Sequence, residues 1–226
     1  EGQEGSFLIS VLREREEVDY AVLDRIRFPQ GLPGAPRFSS QWGLKNSGGL
    51  IEGSTYGTSG ADIEAEEAWA TGYGSKSTRV AVIDSGIDSD HPDLDGNIWT
   101  NPGEISGNGI DDDKNGFIDD VHGWDFIDND NLPEDTTGHG THVAGIIGAE
   151  INNGIGISGV AGNVSLVPLR VCSVSGCPVS ATLAALQYAV NNGIPISNNS
   201  YGATGYLQPE YEVIKEASDL GHLIIA

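Results

Sequence analysis

The sequence predicts an α/β fold, a three-layer arrangement with a parallel sheet covered by helices on both faces. Three observations carry this. From residue 79 onward short apolar runs alternate with helical stretches, which implies crossover connections and parallel pairing. The run Arg79-Val80-Ala81-Val82-Ile83 is apolar without alternation, as suits a strand buried on both faces. The chain closes on Leu223-Ile224-Ile225-Ala226, a core-strand composition, and holds no Met, so both ends are expected to be truncated and the sheet incomplete at its C-terminus.

The elements follow in order. Residues 1–27 are charged and mixed, with Val18, Tyr20 and Val22 alternating as in an edge strand. Pro29, Gly31, Pro33, Gly34 and Pro36 then crowd together as a linker, so residues 1–37 read as a tail and 38–226 as the domain. Residues 62–70 suit a short helix with Asp62 as N-cap and Gly72 as stop. Residues 101–137 are rich in Asp, Asn and Gly without helical period, and a loop this long in a compact domain is usually functional. Residues 139–150 read as a helix and 165–171 as a strand. Residues 180–192 form a helix capped by Ser180 and stopped by Gly193. A strand starts at 194–197, a helix spans 208–220, and 222–226 is the last strand. There is no internal repeat.

Lys and Arg number 11 against 33 Asp and Glu, for a net charge of −22. Such a chain repels a phosphate backbone, which argues against nucleic acid as a partner. Two readings of the acidity stand: a solvated surface typical of secreted proteins, or carboxylate clusters holding hard cations such as Ca²⁺. No apolar stretch approaches the roughly 18 residues that span a bilayer. Cys172 and Cys177 either close a small loop as a disulfide in an exported chain or remain two thiols.

Asp84 follows directly on the strand at 80–83, at the end where parallel sheets gather reactive groups. Taken alone, it reads as a capping residue of a βα loop. His139 lies in Gly138-His139-Gly140-Thr141-His142, bracketed by glycines that permit close approach. His142, one turn on, is assigned a buried structural place behind His139. A histidine with one ring nitrogen held by a carboxylate is the base half of a nucleophilic triad.

Here the resemblance becomes specific. VAVIDSGID at 80–88 resembles the aspartate motif of the subtilisin-like serine proteases (subtilases, peptidase family S8). HPDL at 91–94 and GHGTHVAGII at 138–147 resemble the segments that follow, and Asn198-Asn199-Ser200-Tyr201-Gly202 resembles the family's substrate-binding stretch. The resemblance covers residues 38–226, and the acidic loop is most similar to thermitase-like members. It implies a serine endopeptidase in which Asp84 orients His139, the general base. It also implies one substrate edge at Ser200, Tyr201 and Gly202, an opposing edge at Ser175 and Gly176, and Tyr201 as a pocket wall. The nucleophilic Ser and the oxyanion Asn would lie beyond residue 226, so the chain as given is expected to be inactive and unstable. Polypeptide substrates, secretion and no catalytic cofactor are further expectations. Residues 5–27 resemble the end of an inhibitory propeptide, a partner the domain would carry with it; an unrelated linker is the alternative.

The resemblance also implies structural calcium. Asp111, Asp113 and Asn115 alternate before Gly116 like the start of an EF-hand loop, although His122 stands where the closing Glu would be. A plain solvated loop is the alternative. Asp125, Asp128, Asp130 and Glu134 are similar to a thermitase calcium loop, and their crowding suggests a cation. Asp93 and Asn153 match the tight subtilisin site, with Ala35 where an N-terminal Asp would contribute. Two rival functions are kept: a zinc hydrolase using His139, His142 and Asp84, and a calcium-binding degenerate homologue without activity. No GxGxxG follows Ile83, which excludes a dinucleotide fold.

Overall fold

The computed structural model describes residues 34–226, apart from residue 53, together with residues 11 and 15. The chain divides between residues 31 and 32, and everything below concerns the second unit, Leu32–Ala226. Apart from residues 11 and 15, the propeptide reading of residues 5–27 lies outside the described residues.

Seven strands and four α-helices are described. A small antiparallel pair, β1 (Leu50–Glu52) with β2 (Thr55–Tyr56), stands apart. The main sheet holds β3 (Arg79–Asp84), β4 (Trp124–Asp125), β5 (Ser165–Arg170), β6 (Ile196–Asn198) and β7 (Leu223–Ile225). Its order is β4-β5-β3-β6-β7 and every pairing is parallel. The helices are α1 (Ala65–Trp69), α2 (His139–Gly148), α3 (Val179–Asn191) and α4 (Gln208–Asp219).

The pleat explains the layers. Ala81 and Ile83 of β3, with Val167 and Leu169 of β5, face one core. Ala181, Ala185 and Ala189, spaced one helical turn apart, bring α3 onto it. Val82 and Leu166 point the other way and meet Ala144 of α2. Both faces of β3 are therefore covered, and its residues from Val80 to Asp84 are buried. A third cluster joins Ala35 and Phe38 to Leu44, Ala65 and Trp69, so the chain from residue 35 packs with the domain. Among the described residues no helix is long and apolar enough to cross a membrane.

Element boundaries moved where caps were misjudged. Asp62 does not cap α1; its carboxylate accepts from the Asn46 and Glu64 amides, and Glu64, in the left-handed region at φ 55°, precedes the helix. Pro178 rather than Ser180 precedes α3. The acidic loop holds β4, whose apolar content is too short to read. An aromatic group anchors that loop: Phe117 packs edge-on against Trp124 and Tyr188, with ring centroids 5.0 and 4.9 Å away. Beneath it the buried Asp120 accepts hydrogen bonds from the Tyr188 hydroxyl and the Asn101 and Asn115 amides. Burial pushes the Asp120 carboxyl above its ordinary range, and burial with the adjacent Asp120 pushes the Tyr188 phenol up as well.

Candidate active site

Asp84 is the last residue of β3. Its carbonyl accepts from the amides of Val171 and Cys172, which fixes where the strand ends. Its carboxylate is buried, and Oδ1 accepts from the Ser85 amide at 2.7 Å. His139 is the first residue of α2. Gly138 before it turns the chain at φ 85°, a left-handed conformation that favours glycine. The His139 Nδ1–H donates to Asp84 Oδ1 at 2.7 Å, while its side chain is 58% exposed against 2% for Asp84. One ring edge is thus held from the protein interior and the rest of the ring faces outward. With the proton on Nδ1, Nε2 is the basic nitrogen.

The approach of α2 to β3 is tight. A Cβ on Gly140 would sit 2.1 Å from the Gly86 carbonyl oxygen, so the position has room for no side chain. Gly86, at φ 100°, is crowded in turn by the Pro133 and Glu134 carbonyls.

Of the expected substrate edges, Gly176, Tyr201 and Gly202 line one cavity of about 450 Å³ with Val179, Thr182 and Leu207. Ser175 and Ser200 do not line it; the Ser175 amide donates to Ser173 Oγ, and Ser200 Oγ accepts from Asn198 Nδ2. The structure joins Cys172 to Cys177 as a disulfide, closing the turn that carries Ser175 and Gly176. The Tyr201 hydroxyl donates to Asn199 Oδ1. Burial pushes that phenol up to about 12, with the charges of Glu210 and Asp84 adding to the effect.

His142 is exposed, not buried behind His139 as expected. It lines a separate cavity of about 520 Å³ with Arg37, His91 and Asp93. Position 142, three residues into α2, points away from the sheet that buries Ala144 and Gly145. Among the described residues, His139, His142 and Asp84 do not bring ligand atoms within 4.8 Å of one another, so the zinc arrangement is not formed.

The calcium expectations divide. Asp125, Asp128, Asp130 and Glu134 do not gather as ligands. Arg170 Nη1 donates to both Asp125 Oδ2 and Asp128 Oδ2, so a guanidinium supplies the positive charge their crowding calls for. Asp130 Oδ1 instead accepts from the Leu132 amide, and Glu134 Oε2 from the Ser89 amide. Asp93 and Asn153 do meet, but as acceptor and donor at 2.7 Å, with Ile157 N–H on the other Asp93 oxygen. Asn115 Oδ1 accepts from the Phe117 amide, and its Nδ2 faces Asp113 and Asp120. Asp111 and Asp113 are joined instead by Glu104, each placing a carboxylate oxygen within 4.8 Å of the others. The sequence reading missed Glu104, which precedes the Asp run by seven residues and carries no spacing signal.

Comparison with known proteins places these observations. The subtilase family model matches residues 75–226. Thermitase of Thermoactinomyces vulgaris is 33% identical over 165 residues, 73% of this chain and 51% of that protein. Subtilisin-like protease 1 of Plasmodium berghei is 39% identical over 155 residues, 66% of this chain and 25% of that protein. The chain thus spans a quarter to a half of the length of these relatives. A solved Pseudoalteromonas arctica protease shares the fold at TM-score 0.63 and 24% identity, covering 86% of this chain and 58% of that one. The Aeromonas sobria serine protease, solved with its chaperone, does so at 0.64 and 24%, covering 83% and 30%. A parallel sheet with an Asp–His pair at its carboxyl edge, and a family match over two thirds of the sequence, lead to one assignment: the chain belongs to the subtilase family.

Proposed function

We propose that this chain supplies the aspartate and histidine of a secreted serine endopeptidase. The 2.7 Å bond between His139 Nδ1 and Asp84 Oδ1 is the observation that supports it. The buried carboxylate fixes the Nδ1–H tautomer and stabilises the imidazolium. Nε2 removes the proton from a serine hydroxyl as its oxygen attacks the peptide carbonyl, then delivers that proton to the leaving amine. In this reading the serine and the oxyanion-binding Asn come from sequence after residue 226. A substrate strand would lie between the edges at Ser200–Gly202 and Ser175–Gly176, with Tyr201 and Leu207 lining one side-chain pocket. Residues 1–37 would be the end of the protein's own inhibitory propeptide and its linker.

The test has two arms. The whole open reading frame that contains this chain should hydrolyse casein, and a His139→Ala form should not. The 226-residue chain alone should show no turnover. Casein hydrolysis that survives His139→Ala would refute the assignment.

Structural calcium belongs to the same proposal, and the carboxylates fit it best at Glu104, Asp111 and Asp113. Their other lone pairs are engaged by backbone amides, as where Glu104 Oε1 accepts from Asp112 and Asp113. Three anionic oxygens this close repel without a hard cation. Chelation by EDTA should therefore lower the melting temperature of the protein. Glu104→Gln should abolish most of the calcium-dependent part of that shift. An unchanged calcium response in Glu104→Gln would move the ion elsewhere.

A further inference from the structure

We propose that Asp135 is a positioning residue for His139, clamping the end of β3 to the first turn of α2. The inference rests on the Asp84–His139 reading above and names what holds that pair in register.

The carboxylate of Asp135 collects donors from both sides of the pair. Oδ1 accepts from Ser85 Oγ at 2.8 Å and from the Thr137 and Gly138 amides at 2.9 Å. Oδ2 accepts from the Thr141 amide at 2.9 Å and the Thr141 hydroxyl at 2.7 Å. Ser85 directly follows Asp84, and Thr137, Gly138 and Thr141 flank His139. A second link closes the ring: Ser85 Oγ accepts from the Gly140 amide at 2.9 Å. Every route from the Asp84 backbone to the His139 backbone through this ring passes Ser85, and Asp135 holds Ser85.

The chemistry favours a carboxylate here. Three of the donors are backbone amides at the start of a helix, where the dipole favours negative charge. Burial alone would raise the Asp135 pKa, but the hydrogen bonds from Thr141, Thr137 and Ser85 outweigh it, and the group titrates below its ordinary range. Asp135 is thus ionised wherever a protease of this kind works, and the clamp stays closed. The His139 ring is mostly exposed and is held on one edge by Asp84. Its register depends on its backbone, and a displacement of about 1 Å in such a group can cost about 100-fold in rate.

The experiment uses the whole protein labelled with ¹⁵N-histidine. The wild type should show a strongly downfield Nδ1 proton for His139, the signature of its bond to Asp84. Asp135→Asn, which puts an N–H where donors converge, should weaken or broaden that resonance. It should also lower kcat about 10- to 100-fold, with KM changed less than about twofold. Thr141→Val, which removes one donor to Asp135 and the acceptor of the exposed Asp88 amide, should fold and show a smaller change in the same direction. A wild type without the downfield proton overturns the Asp84–His139 reading and this proposal together. A wild type that shows it, with both variants leaving resonance and kcat unchanged, overturns the positioning role alone.

Discussion

Replacing Asp84 by Asn should lower kcat of the whole protein by about 10⁴-fold and leave the fold intact. The size of the effect follows from tautomer control. Asp84 Oδ1 accepts from both the Ser85 amide and His139 Nδ1. In the variant, an oxygen kept at the Oδ1 position would still accept from both donors but would lack the charge that stabilises the imidazolium. With the amide turned the other way, its nitrogen takes the Oδ1 position, faces Nδ1 and donates to it. The ring proton moves to Nε2, the nitrogen that must accept from the serine. Stability is spared because a neutral amide of equal size replaces a buried charge, which removes a desolvation cost rather than adding one. The checks are kcat by peptide hydrolysis and the midpoint of urea unfolding. A loss under tenfold with an unchanged midpoint would mean that Asp84 does not set the His139 tautomer.

Much of this site is readable from the residues because its parts are local. Asp84 ends an apolar strand and His139 sits between glycines, and both signals lie within a few positions. The parallel sheet is legible for the same reason: β3 and β5 are continuous apolar runs, and α3 and α4 keep helical periods. What escaped depends on pairs far apart in sequence. That Arg170, 45 residues from Asp125, meets two of the carboxylates read as a calcium loop cannot be seen in the sequence. Glu104 and Asp135 escaped because their partners are mostly backbone amides, which leave no mark in a sequence. His142 was misplaced because helical spacing from His139 says nothing about which face of α2 meets the sheet.

The Arg170 contact carries the second large effect. Arg170 ends β5 and lies in register with Asp84 across the sheet. Burial pulls its pKa down, but the hydrogen bonds it donates to Asp128 and Asp125 more than offset this and leave it raised. The two carboxylates are unequal. Asp128 is 61% exposed and its share is screened by solvent, whereas Asp125 is 1% exposed and holds the pair in a dry site. Arg170→Met keeps the aliphatic volume and strands the Asp125 charge, so it should cost about 3–5 kcal/mol in urea unfolding. Asp125→Asn in the same background should return most of that loss, because the penalty lies in the uncompensated anion. The pair of variants also decides what the loop binds. With the guanidinium removed, oxygens of Asp125 and Asp128 are released toward a common point, so added Ca²⁺ should stabilise Arg170→Met more than it stabilises the wild type. Equal calcium responses in the two proteins would mean that Asp125 and Asp128 take up no ion even when Arg170 is gone.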